Sequence, residues 1–327
     1  MTDVKPRIGL VGAGGIASAH LPGLLRSAGE VTVFSEEYGP AFRHNDSIRI
    51  ASSLEELIDR AEIVDVATPT DTHHGIVKQA LMAGRDVICE KPLALTVNDA
   101  AELLQLAEQH HVHLFPAHVV RWFPAYRELK RAADAGSLGE LAVMRFVRSG
   151  AFPRQPWFAD SSRSGGVVAD LMIHDLDVAR WLAGDVVRVS AVRQRTADDG
   201  HPLEAAHVLL THASGTITHL AGLWGAGDLQ FTTEFSVTGT LGSLTYSSRA
   251  EQNYLTDPGS LASGSTFLPA RDEDDDDPYA LEIRDFVAAC RDGSAPRVSA
   301  SDGLEAVRLA VAALTSIDTG QPVEIVR

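Results

Sequence analysis

The first 120 residues alternate short apolar runs with stretches of helical periodicity. The runs at 7–11, 31–34, 48–51, 63–67, 86–89 and 113–116 read as strands. A glycine-rich turn after the first run leads into a helix to about residue 28, and 54–60, 73–83 and 98–109 read as further helices. Strands that are apolar throughout are buried on both faces. The pattern therefore predicts a parallel sheet covered by helices on both sides, the doubly wound α/β architecture. Pro22 falls inside the first helix and is expected to break it into two short pieces.

After about residue 120 the pattern changes. A helix at 125–135 leads to a long strand at 141–148, a turn-rich stretch with Pro153, Pro156, Gly165 and Gly166, and a helix at about 168–182. Strands follow at 186–195, 206–211, 215–221, 231–238 and 243–247, with tight turns and no helix between them. Such a series predicts an antiparallel sheet, one face packed and one open. Helices at 279–290 and 302–317 and a strand near 323–326 complete the chain. Two domains are expected, at 1–120 and at 121–327, the second of α+β type. The six consecutive acids at 272–277 read as a solvated loop.

Composition narrows the function classes. With 45% apolar and 22% charged residues, the 327-residue chain is an ordinary globular protein. No run reaches the ~18 apolar residues of a membrane span. The polar start, Met1-Thr2-Asp3-Val4-Lys5-Pro6-Arg7, lacks the apolar centre of a secretory leader, so a cytoplasmic location is expected. The formal charge of −16 excludes a general nucleic-acid or anionic-membrane surface, which needs a basic face. The two cysteines, Cys89 and Cys290, stand outside any CxxC pattern, which excludes a disulfide scaffold. His73-His74 and His110-His111-His113 lack the carboxylate or cysteine that would complete a ligand set, so no metal is expected.

Three motifs carry candidate chemistry. Gly12-Ala13-Gly14-Gly15-Ile16-Ala17 is a G-x-G-x-x-A turn between a strand and a helix. The glycines permit a tight turn and close approach of a pyrophosphate, and the helix start offers it free N–H groups and partial positive charge. After the second strand come Ser35 and Glu36, where an acid would grip the ribose of NAD. Ser35 suits a 2′-phosphate, whereas Glu36 repels one and accepts from ribose hydroxyls; the charge favours NAD, with NADP left open. Glu90-Lys91-Pro92 follows the fifth strand, at the sheet edge where open α/β sheets place their ligands. There Lys91 is suited to hydrogen-bond a substrate hydroxyl, or it is a surface lysine. Asp170 and His174 are four apart and are expected to stack on one helix face that Asp177 continues, which suits a proton shuttle or a structural pair. Asp175 is expected at the surface or an interface. Trp157 and Phe158, between prolines, read either as a sugar-stacking platform or as core aromatics.

In this order, the glycine turn, Ala67-Thr68-Pro69-Thr70-Asp71-Thr72-His73, Glu90-Lys91-Pro92 and Asp170-x-x-x-His174 resemble the Gfo/Idh/MocA oxidoreductases, most closely the inositol dehydrogenase-like members. Phe286 in the penultimate helix and Asp302-Gly303 fit the same likeness. The resemblance implies an N-terminal Rossmann dinucleotide-binding domain and a C-terminal open-faced sheet domain that serves homodimer or homotetramer contacts. It implies Lys91, Asp170 and His174 as catalytic residues, Arg121 near the substrate with Trp157, and Gly12, Gly14, Gly15, Ile16, Thr68, Pro69, His73 and Glu90 around the cofactor. The activity read from this is oxidation of a secondary hydroxyl of a sugar or cyclic polyol, by hydride transfer to NAD or NADP. A tightly bound NAD acting as an internal redox relay, and a non-catalytic sugar or nucleotide sensor, are the competing readings.

Overall fold

The computed structural model describes residues 5–39, 41–196, 203–249, 254–258 and 277–326. Of the acidic block, 272–276 lie outside the described residues. The chain forms two compact units, Met1–Trp122 with Asp274–Val307, and Phe123–Glu273 with Arg308–Arg327. A single cut after residue 120 was expected. Instead the helix Pro278–Asp292 returns to the first unit, where Phe286 stacks on Phe115 at 4.8 Å and Ile283 and Val287 join Leu21 and Leu24 in the core. Linear order does not reveal such an apolar closure across the sequence.

The first unit is built on strands β1 (Arg7–Val11), β2 (Glu30–Phe34), β3 (Arg49–Ile50), β4 (Ile63–Val66), β5 (Asp86–Glu90) and β6 (Leu114–Ala117). They pair in parallel in the order β3-β2-β1-β4-β5-β6. The order reverses between β1 and β4, the crevice where such sheets take their ligands. Helices α1 (Gly15–Ser27), α2 (Leu54–Arg60), α3 (Thr70–Met82) and α4 (Val97–His110) link the strands. Ser53 and Thr96 cap α2 and α4 by accepting from the third amide on. Contrary to expectation, α1 continues through Pro22 as one helix of 13 residues. Burial of Leu21 and Leu24 on either side offsets the one amide that proline removes. The start of α3 lies three residues earlier than expected, because Pro69 stands at its N-cap and Thr72 Oγ1 donates back to the Pro69 carbonyl.

The second unit carries an eight-stranded sheet. Its strands are β7 (Leu141–Ala151), β8 (Val186–Thr196), β9 (Leu203–His212), β10 (Ile217–Gly225), β11 (Thr232–Gly239), β12 (Gly242–Ser247), β13 (Tyr254–Pro258) and β14 (Val323–Glu324), in the order β13-β12-β11-β7-β10-β9-β8-β14. The sheet is antiparallel except that β7 and β10 run parallel. That pairing is non-local, so reasoning from consecutive hairpins does not find it. Along β7, Met144, Phe146 and Arg148 face inward, and Val143 and Arg145 face out. Arg148 is buried in a bidentate pair with Asp175 at 2.7 and 3.0 Å, and it also donates to the Tyr126 hydroxyl at 3.1 Å. Asp175 is therefore a core ion-pair partner and not the surface residue expected.

Candidate active site

The glycine turn follows β1 directly. Gly12 has φ +104°, and a Cβ there would strike the Ala67 carbonyl at the end of β4, so only glycine lets these two strand ends meet. A Cβ at Gly14 or Gly15 would meet none of the described residues within 4 Å. Among the described residues no side chain caps α1, and its first turn carries no acid. Its amide end is thus available to an anion. Ile16, next to it, is exposed. Beyond β2, Ser35 is turned into its own loop: its hydroxyl donates to the Glu37 carbonyl at 2.6 Å and its amide to the Tyr38 hydroxyl. Glu36 is exposed.

The ends of β4 and β5 are tied together through His73. Its Nδ1 lies 2.8 Å from the Pro92 carbonyl and its Nε2 2.9 Å from the Thr68 carbonyl. Both neighbours accept, and a neutral ring can donate to only one. Burial lowers the pKa of His73 in spite of them. Thr68 and Pro69 are half-buried at this rim, and Thr68 Oγ1 bonds Thr72 Oγ1 at 2.7 Å. On the facing strand the half-buried Lys91 leaves β5 with its main-chain amide donating to Glu90 Oε2 at 3.0 Å.

Behind Lys91 lies a buried group of charges that sequence reasoning did not assemble. His20 of α1 is fully buried, its Nδ1 2.8 Å from Asp65 Oδ2 and its Nε2 3.1 Å from Glu90 Oε1. Burial alone would lower its pKa. The charges and hydrogen bonds of Asp65 and Glu90 outweigh that and raise it well above the ordinary value. Glu90 is opposed by burial, but His20 and Lys91 hold it below the usual carboxylate range. Glu282, from the helix Pro278–Asp292, is also buried near these groups. Desolvation, with Glu90, Asp65 and Asp285 adding to it against His20, pushes its pKa well up. Neither oxygen of Glu282 has a hydrogen-bond partner among the described residues. The visible signal was Asp65, an acid inside the apolar run Ile63-Val64-Asp65-Val66.

In the second unit the continuous helix expected at 168–182 is two helices, Gly166–Asp170 and Ile173–Ala183, separated by Leu171 and Met172. Asp170 ends the first and His174 lies in the first turn of the second. Their spacing of four therefore does not stack them on one uninterrupted helix. Gly166 opens the first of these helices, and its φ of +68° and missing Cβ leave room for the Glu204 carboxylate. Both residues are half-buried, whereas Asp177 is buried. Trp157 lies in a short helix, Pro156–Ala159, and stacks on Phe158 at 3.8 Å, which in turn meets Trp224 edge-on. Arg121 belongs to the first unit and is only 2% exposed. It donates to the Arg297 carbonyl at 2.9 Å and pairs with Asp302, and Arg297 donates back to the Arg121 carbonyl. These bonds make Arg121 a buried brace within the first unit. Among the described residues, Asp86 with His113 and Cys290, and His74 with Asp99 and Glu102, bring three ligand-type atoms within 4.8 Å. In each group the imidazole already bonds a carboxylate, at 3.0 and 2.8 Å.

Residues 6–118 match the oxidoreductase family with an NAD-binding Rossmann fold, and residues 126–245 match the GFO/IDH/MocA C-terminal domain. A D-apiose dehydrogenase of Paraburkholderia graminis is 31% identical over 283 residues, covering 82% of this chain and 74% of the relative. The chain belongs to the GFO/IDH/MocA oxidoreductase family. An inositol 2-dehydrogenase of Rhizobium meliloti is 27% identical over 98% of this chain and 99% of its own length. Among solved structures, GenD2 from gentamicin A biosynthesis in complex with NAD superposes with a TM-score of 0.83 at 24% identity, covering 100% of this chain and 98% of that one, and so shares the fold. NAD is the cofactor of this family's N-terminal domain, and the residues present fit it: an α1 with neither a side-chain cap nor a first-turn acid among the described residues, and glycines where a Cβ would meet none of them. Among the described residues no helix is long and apolar enough to cross a membrane.

Proposed function

We propose that this oxidoreductase oxidises a secondary hydroxyl of a sugar or cyclic polyol with NAD, as a cytoplasmic homo-oligomer. The observation that carries the reading is Lys91, at the carboxyl end of β5 in a dinucleotide-binding sheet, with its main chain fixed by Glu90. The relatives' substrates, inositol and apiose, support the substrate class. When bound, NAD supplies the hydride acceptor. Lys91 stabilises the negative charge that develops on the substrate oxygen. The hydroxyl proton passes to His174 or Lys91, and Asp170 supports the imidazole. Gly12, Gly14, Gly15 and Ile16 hold the pyrophosphate, Thr68, Pro69, His73 and Glu90 frame the nicotinamide side, and Trp157 offers the sugar an aromatic face. The exposed Glu36 after β2 favours a ribose over a 2′-phosphate. For the oligomer, the outer face of the second sheet presents Val143, Val192, Leu209 and Ile217, all exposed, beside stacked His207 and His219.

The test is absorbance of the reduced cofactor with inositols, aldoses and sugar acids, run with NAD and NADP separately. Turnover of at least one polyol or sugar is expected, faster with NAD. Tight cofactor binding without turnover across the panel would overturn the reading. Lys91→Ala should lower turnover by about 10²–10⁴-fold with cofactor affinity retained.

A further inference from the structure

His20 has no role in the reading above, yet its ring has no exposed surface and is seated between two carboxylates. Its two bonds form a directed chain. Nδ1 bonds Asp65 Oδ2 in β4, Nε2 bonds Glu90 Oε1, and the other oxygen of Glu90 accepts from the Lys91 amide. The side chains of His20, Asp65 and Glu90 are buried, which shields the two ring bonds from water, and the bond to the Lys91 amide is part-buried. A carboxylate with both oxygens engaged from fixed donors has no free rotation. We propose that His20 is a positioning residue for Lys91: clamped by Asp65, its ring holds the Glu90 carboxylate against the Lys91 amide and so fixes the direction in which the lysine leaves β5. The catalytic consequence rests on the reading of Lys91 given above; the positioning itself does not.

A purely structural ion pair would stabilise the fold without acting on Lys91, so the test reads Lys91 directly. The chain has four lysines, Lys5, Lys78, Lys91 and Lys130. Labelling with ¹⁵N-lysine therefore gives four main-chain amide signals, and Lys91→Arg assigns the one that matters. Glu90→Gln, which removes the acceptor itself, sets the direction of change. In His20→Gln and in Asp65→Asn the Lys91 signal is expected to move the same way, with Lys5, Lys78 and Lys130 unmoved. Two variants are used so that either one reads the chain if the other fails to fold. Turnover should fall about ten- to a hundredfold with NADH affinity unchanged, the scale of one hydrogen bond to a charged group. In a Lys91→Ala background the same substitutions should cost nothing further. A Lys91 signal that stays in place in a folded His20→Gln or Asp65→Asn protein overturns the proposal. If the signal moves but Lys91→Ala keeps normal turnover, the positioning stands and the catalytic reading of Lys91 fails.

Discussion

Replacing Glu282 by methionine should make the protein more stable, by a margin that widens with pH. The glutamate is 0% exposed, with no hydrogen-bond partner for either oxygen among the described residues, and it shares its surroundings with Asp65 and Glu90. A buried polar group left without a partner costs about 1–3 kcal/mol, which a side chain of similar length without the charge avoids. Proton linkage adds to this. The folded pKa of Glu282 lies well above its ordinary 4.5, so the folded protein keeps a proton that the unfolded chain releases. Stability is fully present below the unfolded value and is lost as pH rises through the folded one, at up to about 1.4 kcal/mol per pH unit. A methionine at this position has no proton to keep, so the gain from Glu282→Met should grow by that slope. His20, whose pKa is also raised, gives wild type and variant alike a fall in stability as pH rises from near 6.5. The assay is urea unfolding at several pH values between about 5 and 8, read on the transition that NADH shifts, because two units can unfold separately. A variant less stable than wild type throughout, or a gain independent of pH, would refute the account of Glu282 as a carboxyl held neutral by burial.

Other substitutions test the remaining parts. Arg148→Met strands the Asp175 carboxylate inside the second unit and should cost about 3–5 kcal/mol of stability by urea unfolding, with part of it recovered when Asp175→Leu is added. Gly12→Ala places a Cβ against the Ala67 carbonyl in a left-handed backbone; NADH affinity by fluorescence titration should fall about tenfold or more with the circular dichroism unchanged. Leu209→Glu puts a charge on the exposed sheet face and should lower the sedimentation coefficient to that of one chain; a wild-type protein already sedimenting as a single chain would remove the basis for the oligomer.

Local signals were legible in the sequence. The first sheet's strands stand within a residue or two of their apolar runs, because a buried parallel strand must be apolar on both faces. The glycine turn was legible because few residue types tolerate φ +104° beside another strand's carbonyl. What was not legible was a local helix break and the pairings distant in sequence. Asp170 and His174 looked like one helix face because spacing alone does not register that Leu171 and Met172 interrupt the helix. The brace that Arg121 makes was not legible, because its partners, Arg297 and Asp302, lie 176 and 181 residues away.

His20 shows most clearly what a linear reading cannot weigh. Its position five residues into α1 marks it as an ordinary polar residue on a helix, and Glu90 was assigned to the cofactor on its own. Only Asp65 breaks a pattern, since a lone carboxylate in a buried strand needs a partner or a proton. Folding supplies the partner from α1, the helix that begins at the glycine turn, and His20 in turn reaches the residue before Lys91. α1 and the segment that carries Lys91 are thereby joined through the His20 ring, seated between two carboxylates. A shift of α1 would displace the Glu90 carboxylate, and with it the Lys91 main chain. The position of α1 and the alignment of the lysine should therefore be coupled in this protein: substitutions at His20 that leave NADH affinity intact should still alter how Lys91 is held.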